Sequence, residues 1–109
     1  MKRSLLSIYL AIWFVFSVIA PVSAGEVANG AKLFNANCSA CHMGGNNVII
    51  SSKTLKKEAL DKYGMTSLDA IKNQIMNGKN AMPSFRSRLD DDQIEDIANY
   101  VMTQSQQGW

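Results

Sequence analysis

The stretch Asn35-Ala-Asn-Cys-Ser-Ala-Cys-His-Met-Gly-Gly45 concentrates the rarest reactive side chains of a 109-residue chain. It contains the chain's only two cysteines, Cys38 and Cys41, and its only histidine, His42. Thiols and an imidazole are nucleophiles and metal ligands, and here they fall within five consecutive positions. A single piece of chemistry is therefore expected at this point of the sequence.

Three kinds of site contain a Cys-x-x-Cys pair. A thioredoxin-like redox pair belongs to a βαβ setting, and the sequence shows no strand alternation longer than a few residues. A zinc site takes four Cys, His or carboxylate ligands. Two thiols and one imidazole leave that set incomplete, and the adjacent Cys41 and His42 fit poorly at two corners of one tetrahedron. Cys-x-x-Cys-His is also the signature of covalent haem attachment.

Haem attachment accounts for the spacing. Cys38 and Cys41, three positions apart, lie on the same side of a helical turn, so each thiol can add to one of the two vinyl groups of a haem. The next residue, His42, is then held beneath the iron as its proximal ligand. The sequence thus predicts one haem c, bound covalently through two thioethers. Such a group would also complete the core of a small domain.

The first 24 residues are typical of a secretory signal peptide. A basic start at Lys2 and Arg3 precedes an apolar run and a small-residue cleavage site that ends at Ala24. A transmembrane anchor is the alternative, but the apolar run of about 16 residues is shorter than the roughly 20 needed to span a bilayer. We expect residues 1–24 to be cleaved and residues 25–109 to form one cytochrome c domain.

The net charge of the mature chain limits which class of partner it can bind. The whole chain has eleven basic and nine acidic residues, a formal net charge of +2. Removal of Lys2 and Arg3 with the signal peptide leaves nine basic and nine acidic residues. A neutral domain without a basic block argues against a nucleic-acid partner.

The mature chain shows helical spacing of apolar residues, which predicts an all-α fold. Ser67 is a candidate N-cap and Gly78 a candidate left-handed stop for one helix. Asp90 and Gln93 have the spacing of a capping box for the last helix. Four short helices are expected: one from Val27 that leads into Cys38, one over Lys56–Tyr63, one between Ser67 and Gly78, and one from Asp90 that fades near Gln104.

The second axial ligand of the iron is predicted from position. His42 is the only histidine, so the alternative to an open site is a methionine, which raises the reduction potential. Met1 leaves with the signal peptide, and Met43 adjoins the proximal ligand. Met82 lies in a loop, 40 residues after His42, where Pro83 favours an extended backbone. The remaining three methionines lie on or next to helices, where methionine usually fills the core: Met65, Met76 and Met102.

With these residues in view, the mature chain resembles the cytochrome c6 family over nearly all of residues 25–109. Cys-x-x-Cys-His marks any cytochrome c, whereas the Gly-Lys-x-Ala-Met-Pro-x-Phe stretch is specific to far fewer members of that class. The matching residues are Gly30-Ala31-x-x-Phe34, Asn37-Cys38-Ser39-Ala40-Cys41-His42, Gly44-Gly45-x-Asn47, Asn77-Gly78-Lys79-x-Ala81-Met82-Pro83-x-Phe85, Arg88-Leu89 and the terminal Trp109.

The resemblance implies a small cytochrome c fold, with about four short helices packed around one covalently bound haem. It implies that the first and last helices cross closely at Gly30 and Tyr100. It also implies roles for the residues singled out above: haem attachment by Cys38 and Cys41, and iron binding by His42 and Met82.

The family likeness further implies an electron carrier rather than an enzyme. It would pass single electrons from the cytochrome b6f complex to photosystem I in the thylakoid lumen of a cyanobacterium or an algal plastid, without being embedded in the membrane. Arg88 matches a family arginine associated with docking on photosystem I. Two alternatives stay open: a periplasmic carrier that donates to a terminal oxidase, and a haem sensor or peroxidase-like protein with an open sixth site.

Overall fold

A computed structural model describes residues 26–109, so the predicted signal peptide and its cleavage site lie outside the described residues. Within that range the chain forms five α-helices, one 3-10 turn and no β-sheet, as the all-α prediction requires. The elements are α1 (Val27–Asn37), α2 (Ser39–His42), the 3-10 turn (Met43–Gly45), α3 (Lys57–Lys62), α4 (Leu68–Asn77) and α5 (Asp91–Gln107). The expectation of about four helices missed α2, because four residues carry no periodic pattern of their own.

The predicted N-caps are present. The Ser67 hydroxyl accepts a hydrogen bond from the Ala70 amide at 3.1 Å and begins α4. The Asp90 carboxylate accepts from the Gln93 amide at 2.8 Å, while the Gln93 side chain accepts from the Asp90 amide at 3.0 Å. This reciprocal capping box satisfies two backbone donors that the start of α5 would otherwise leave unpaired.

Two helix ends differ from the prediction. Gly78 has the expected positive φ of 67°, but its ψ of 179° is extended rather than left-handed helical. The chain folds back there so tightly that a Cβ on Gly78 would lie 2.5 Å from the Met82 carbonyl oxygen. Helix α5 continues past Gln104 to Gln107, because Gly108, at φ 99°, closes it by donating to the Gln104 carbonyl at 2.7 Å.

Helices α1 and α5 cross at very short range. A Cβ on Gly30 would lie 2.0 Å from the Asp96 carbonyl oxygen and 2.8 Å from Tyr100 Cβ. The crossing implied by the resemblance is therefore confirmed. The Asp96 carboxylate, which is buried, also accepts from the Glu26 amide at 2.8 Å and from Asn29 Nδ2 at 2.7 Å. The start of α1 is thereby tied to the middle of α5.

One hydrophobic core lies between α1, α4 and α5. An aromatic cluster closes it at one end, where the Phe34 ring lies 5.3 Å from Tyr100 and 5.4 Å from Trp109 between centroids. Cys38 and Met82 both pack, partly buried, against this same core. Its buried members are Phe34, Leu60, Ile71, Ile75, Phe85, Leu89, Ile94, Ile97, Ala98 and Val101.

Candidate haem-attachment site

Helix α2 and its N-cap residue, Cys38, place both thiols and the imidazole on one turn. The amides of Cys41 and His42 both donate to the Cys38 carbonyl, at 3.2 Å and 2.9 Å. This is the helical turn that the spacing predicted. Both thiols are free, with Cys41 exposed and Cys38 partly buried.

The thiol of Cys38 is not tuned for redox exchange. Its burial, reinforced by the neighbouring Cys41, raises its pKa to about 11 from an ordinary value of 9.0. Nucleophilic cysteines of dithiol oxidoreductases have lowered pKa values, because the thiolate is the reactive form. The shift at Cys38 has the opposite sign, which argues against the thioredoxin-like alternative.

The His42 ring is oriented by a backbone carbonyl. Its Nδ1 lies 2.9 Å from the Asn46 carbonyl oxygen. A carbonyl can only accept, so in the neutral ring Nδ1 carries the proton and Nε2 keeps its lone pair. A metal-binding histidine is usually held in this way, with one ring nitrogen donating to the protein and the other facing the metal.

The 3-10 turn brings the Asn46 carbonyl back to the ring. Gly44 and Gly45 both have positive φ, 64° and 76°, a conformation that glycine adopts without steric penalty. The Asn46 amide donates to the Met43 carbonyl at 3.2 Å and closes the turn. The Gly-Gly pair after His42 therefore serves the orientation of the imidazole.

A loop with aliphatic side chains follows α2 and is hydrogen-bonded to it. The Val48 amide donates to the Cys41 carbonyl at 3.1 Å, and the Asn47 side-chain oxygen accepts from the amides of Ile49 and Ile50 at 3.0 Å and 2.8 Å. This loop leaves Val48 65% exposed and Ile49 62% exposed. Exposed apolar side chains on a loop that is hydrogen-bonded to Cys41 fit a flat apolar cofactor.

Met82 is held in a braced turn between α4 and α5. The amide of Lys79 donates to the Met82 carbonyl and the amide of Met82 donates to the Lys79 carbonyl, both at 3.0 Å. Asn80, inside the turn, has a φ of 53°. The Gln74 amide Nε2 lies 3.5 Å from Met82 Sδ, so a side chain of α4 also fixes the position of the sulfur.

The donor set fits haem c and not zinc. Across residues 26–109 there is no group of three or more His, Cys, Asp or Glu side chains that could hold a metal ion. Two thiols on one turn, an imidazole with Nε2 unprotonated, a thioether and an aliphatic surround are what a haem attached through two thioethers requires. Within the same described range, no helix is long and apolar enough to cross a membrane.

Two residues of this site were missed by sequence reasoning. Asn46 contributes only its backbone carbonyl, which no side-chain pattern reveals. Gln74 reads in the sequence as an ordinary polar position of an amphipathic helix. Its role depends on the chain folding back at Gly78.

The predicted docking residue, Arg88, lies exposed on the loop before α5. Its guanidinium carbon stands 5.5 Å from the centroid of the Phe85 ring, a cation–π distance. The neighbouring Arg86 instead donates to the Asn77 side-chain oxygen at 2.9 Å. Each arginine is therefore held by a different local contact.

Comparison with known proteins agrees with this geometry. The family profile described as "Cytochrome C oxidase, cbb3-type, subunit III" matches residues 25–101. The chain is 53% identical over 110 residues to the cytochrome c6 of Gloeothece citriformis (strain PCC 7424), which covers 100% of both chains. It is 60% identical over 84 residues to the cytochrome c6 of Parathermosynechococcus lividus, which covers 77% of this chain and 97% of that one.

A solved structure shows the same fold. The cytochrome c6 of the diatom Phaeodactylum tricornutum is 50% identical, matches 78% of this chain and 100% of its own, and superposes with a TM-score of 0.76. The small cytochrome c fold is therefore confirmed. The chain belongs to the cytochrome c6 family, within the wider group of c-type cytochrome domains to which the oxidase-subunit profile also responds.

Proposed function

We propose that this protein carries single electrons from the cytochrome b6f complex to photosystem I, through one haem c with histidine and methionine as axial ligands. The cytochrome c6 family consists of electron carriers, and membership of that family supports the same function for this chain. In the proposal Cys38 and Cys41 attach the haem, while His42 and Met82 bind its iron. The thylakoid lumen, reached after cleavage of residues 1–24, is the proposed location.

The observation that carries the proposal is the orientation of His42. Its Nδ1 donates to Asn46, so Nε2 is the nitrogen free to bind iron. The thiols on the same turn are four and one residues earlier, which fixes the cofactor relative to the ring. Met82, held by its own turn and by Gln74, supplies the second ligand.

These residues favour outer-sphere electron transfer. When bound, the haem supplies an iron that changes between the ferric and ferrous states by one electron. With His42 and Met82 both holding the iron, no position on it would remain for a substrate. The braced positions of His42 and Met82 keep the ligand geometry similar in both states, so little reorganisation accompanies transfer. An apolar surround and a thioether ligand favour the ferrous state and raise the potential.

Arg88 is the residue we propose for docking on photosystem I. It is exposed, and its stack on Phe85 limits the number of conformations that must be ordered on binding. Replacing Arg88 with glutamine should slow the reduction of photosystem I after a flash by a few-fold at low salt, with a smaller effect at high salt. Arg86→Gln is the matched control, since its partner is Asn77.

The test of the axial ligands is spectroscopic. Full-length protein, expressed in a host that attaches haem to exported chains, should gain the mass of one haem, and the ferric form should show the weak far-red absorption of a Met sulfur ligand. Met82→Ala should abolish that band and open the iron to carbon monoxide, whereas Met76→Ala should do neither. Ready binding of carbon monoxide by the unmutated protein would support the sensor or peroxidase-like alternative instead.

A second candidate function is donation to a terminal oxidase from the periplasm. The match of residues 25–101 to the oxidase-subunit profile favours it. Fast, salt-dependent reduction of photosystem I, with slow oxidation by isolated oxidase, would support the photosynthetic route. The reverse pattern would support the oxidase.

A further inference from the structure

We propose that Trp109 is a positioning residue for the proximal ligand: it sets the hydrogen bond of His42 by holding the turn that contains Gly45 and Asn46. The proposal rests on the proposed function, because it takes His42 as an iron ligand. It concerns how strongly that ligand donates to the metal, which neither the attachment motif nor Met82 determines.

Three contacts link the indole to the turn. Trp109 Nε1 donates to the Leu55 carbonyl at 2.9 Å. The Leu55 amide donates to the Gly45 carbonyl at 2.7 Å. The ring itself lies over Gly45, where a Cβ would stand 2.3 Å from the ring carbon Cγ. The indole therefore holds the Gly45–Asn46 turn in two ways. Its ring packs directly on Gly45, and its N–H fixes Leu55, which is hydrogen-bonded to Gly45.

The turn ends at the atom that orients the imidazole. Asn46 directly follows Gly45, and its carbonyl is the acceptor for His42 Nδ1 at 2.9 Å. A carbonyl in a loop would be free to rotate with its peptide plane. That plane joins Asn46 to Asn47 and continues from the Gly45–Asn46 plane, which the Leu55 hydrogen bond and the indole hold in place. Movement at Gly45 would displace the Asn46 carbonyl, so the length of the Nδ1–H···O bond depends on the indole.

The contacts of Trp109 are more specific than core filling. Its ring packs 5.4 Å from Phe34 and 5.8 Å from Tyr100, between centroids, which accounts for its apolar area. Neither aromatic neighbour requires the indole N–H, which is used only by Leu55 among the hydrogen bonds described here. Gly45 is buried although it has no side chain, because the Trp109 ring covers it.

The expected effect on the metal follows from imidazole chemistry. Donation from Nδ1–H to a carbonyl makes the ring a better donor at Nε2, and a better donor stabilises the ferric state. If the turn relaxes and the bond lengthens, the ferric state loses stabilisation. Loss of Trp109 should therefore raise the reduction potential and expose the Nδ1 proton to solvent.

Nitrogen-edited NMR of the ferrous, haem-loaded protein tests this directly. Trp109→Ala should accelerate solvent exchange of the His42 Nδ1 proton by about tenfold, the equivalent of one lost hydrogen bond. Trp109→Phe keeps an aromatic ring and removes the indole N–H, so a smaller acceleration is expected. Both variants should have a higher reduction potential than the parent protein.

Two controls separate positioning from general stability. Val101→Ala weakens the core of α5 and should lower Tm without changing the exchange of the Nδ1 proton. Gly45→Ala and Gly44→Ala both place a side chain at a positive φ, but only the first meets the indole, since the nearest atom to a Cβ on Gly44 is Asn46 Nδ2 at 3.6 Å. Gly45→Ala should therefore reproduce the Trp109 effect, and Gly44→Ala should not.

The haem content of the parent protein and the behaviour of Trp109→Ala separate the proposed function from the role of Trp109. If the parent protein lacks a covalent haem or shows no histidine ligand, the proposed function falls and this inference falls with it. If haem and ligands are as proposed but Trp109→Ala leaves both the exchange rate and the potential unchanged, only the positioning role of Trp109 is overturned. If Val101→Ala changes the exchange rate and the potential as much as Trp109→Ala does, Trp109 acts only through packing, and its positioning role is overturned as well.

Discussion

Gly30 of α1 faces the backbone carbonyl of Asp96 in α5 so closely that a Cβ would lie 2.0 Å from its oxygen. No rotamer change can relieve such a contact, because both partners belong to the backbone. The spacing of the two helices is thus set by the absence of one carbon atom. The attachment turn follows directly from the end of α1, so this spacing also fixes where that turn begins.

Gly30→Ala is expected to lower the free energy of unfolding by about 3 kcal/mol, the upper end of the range of roughly 1–3 kcal/mol that is typical of overpacking, because the contact is with backbone that cannot move aside. Urea titration of the haem-loaded protein measures it. Gly64→Ala is the matched control: its φ of 68° makes alanine strained, but nothing lies within 4 Å of the added carbon. We expect about 1–2 kcal/mol there. Equal losses in the two variants would contradict the steric account of Gly30.

The capping box of α5 gives a second prediction. Asp90→Ala should lower the free energy of unfolding by about 1 kcal/mol, because the Gln93 amide loses its acceptor. Asp91→Ala, one position into the same helix, removes only a favourable charge near the dipole and should lower it by roughly 0.3–1 kcal/mol. A larger effect at Asp91 than at Asp90 would mean that charge rather than capping stabilises the helix start.

Gln74 should tune the potential through the sulfur of Met82. Its amide lies 3.5 Å from Sδ, and a donor there withdraws electron density from the thioether and disfavours the ferric state. Gln74→Leu is therefore expected to lower the midpoint potential by about 20–60 mV, the equivalent of about 0.5–1.5 kcal/mol for one electron. Gln106→Leu, exposed near the end of α5, is the control. A rise in potential, or the same change in both variants, would be inconsistent with this role.

The thiols of the haem-free chain should differ in reactivity. With a pKa of about 11, Cys38 is a thiolate in about one molecule in a thousand at pH 8. We expect iodoacetamide to modify the exposed Cys41 first, as read by mass spectrometry of peptides. In urea, where the chain is unfolded and Cys38 is no longer buried, the two thiols should be modified at similar rates. Preferential modification of Cys38 in the folded chain would contradict the burial that raises its pKa.

The same shift predicts the direction of a pH effect on the haem-free fold. In the unfolded chain the Cys38 thiol ionises near its ordinary pKa of 9.0, while in the fold it stays protonated up to about 11. The folded state then binds more protons, so its stability should fall as pH rises from about 9 towards 11.

Local signals predicted much of this molecule. The caps at Ser67 and Asp90 each depend on residues within three positions of each other, and both are present where the sequence predicted them. The attachment turn was predictable for the same reason, since Cys38 and His42 are close in sequence. The position of Met82 in a loop also followed from Pro83.

What the sequence did not reveal depends on contacts between distant residues. Trp109 meets Gly45 across 64 positions, and its indole could not be distinguished from ordinary core material before the fold was known. Asn46 acts through a carbonyl that every residue possesses. Helix α2 is too short for a periodic pattern, and the last turn of α5 depends on Gly108 closing it.

The two reciprocal hydrogen bonds between Lys79 and Met82 bear on how long the methionine stays bound and unoxidised. They hold the backbone of Met82 in place, so its Cα can move away from the proposed iron site only if the four-residue turn opens. If Met82 binds the iron as proposed, this restraint should slow its exchange as a ligand and delay its oxidation relative to the exposed Met43.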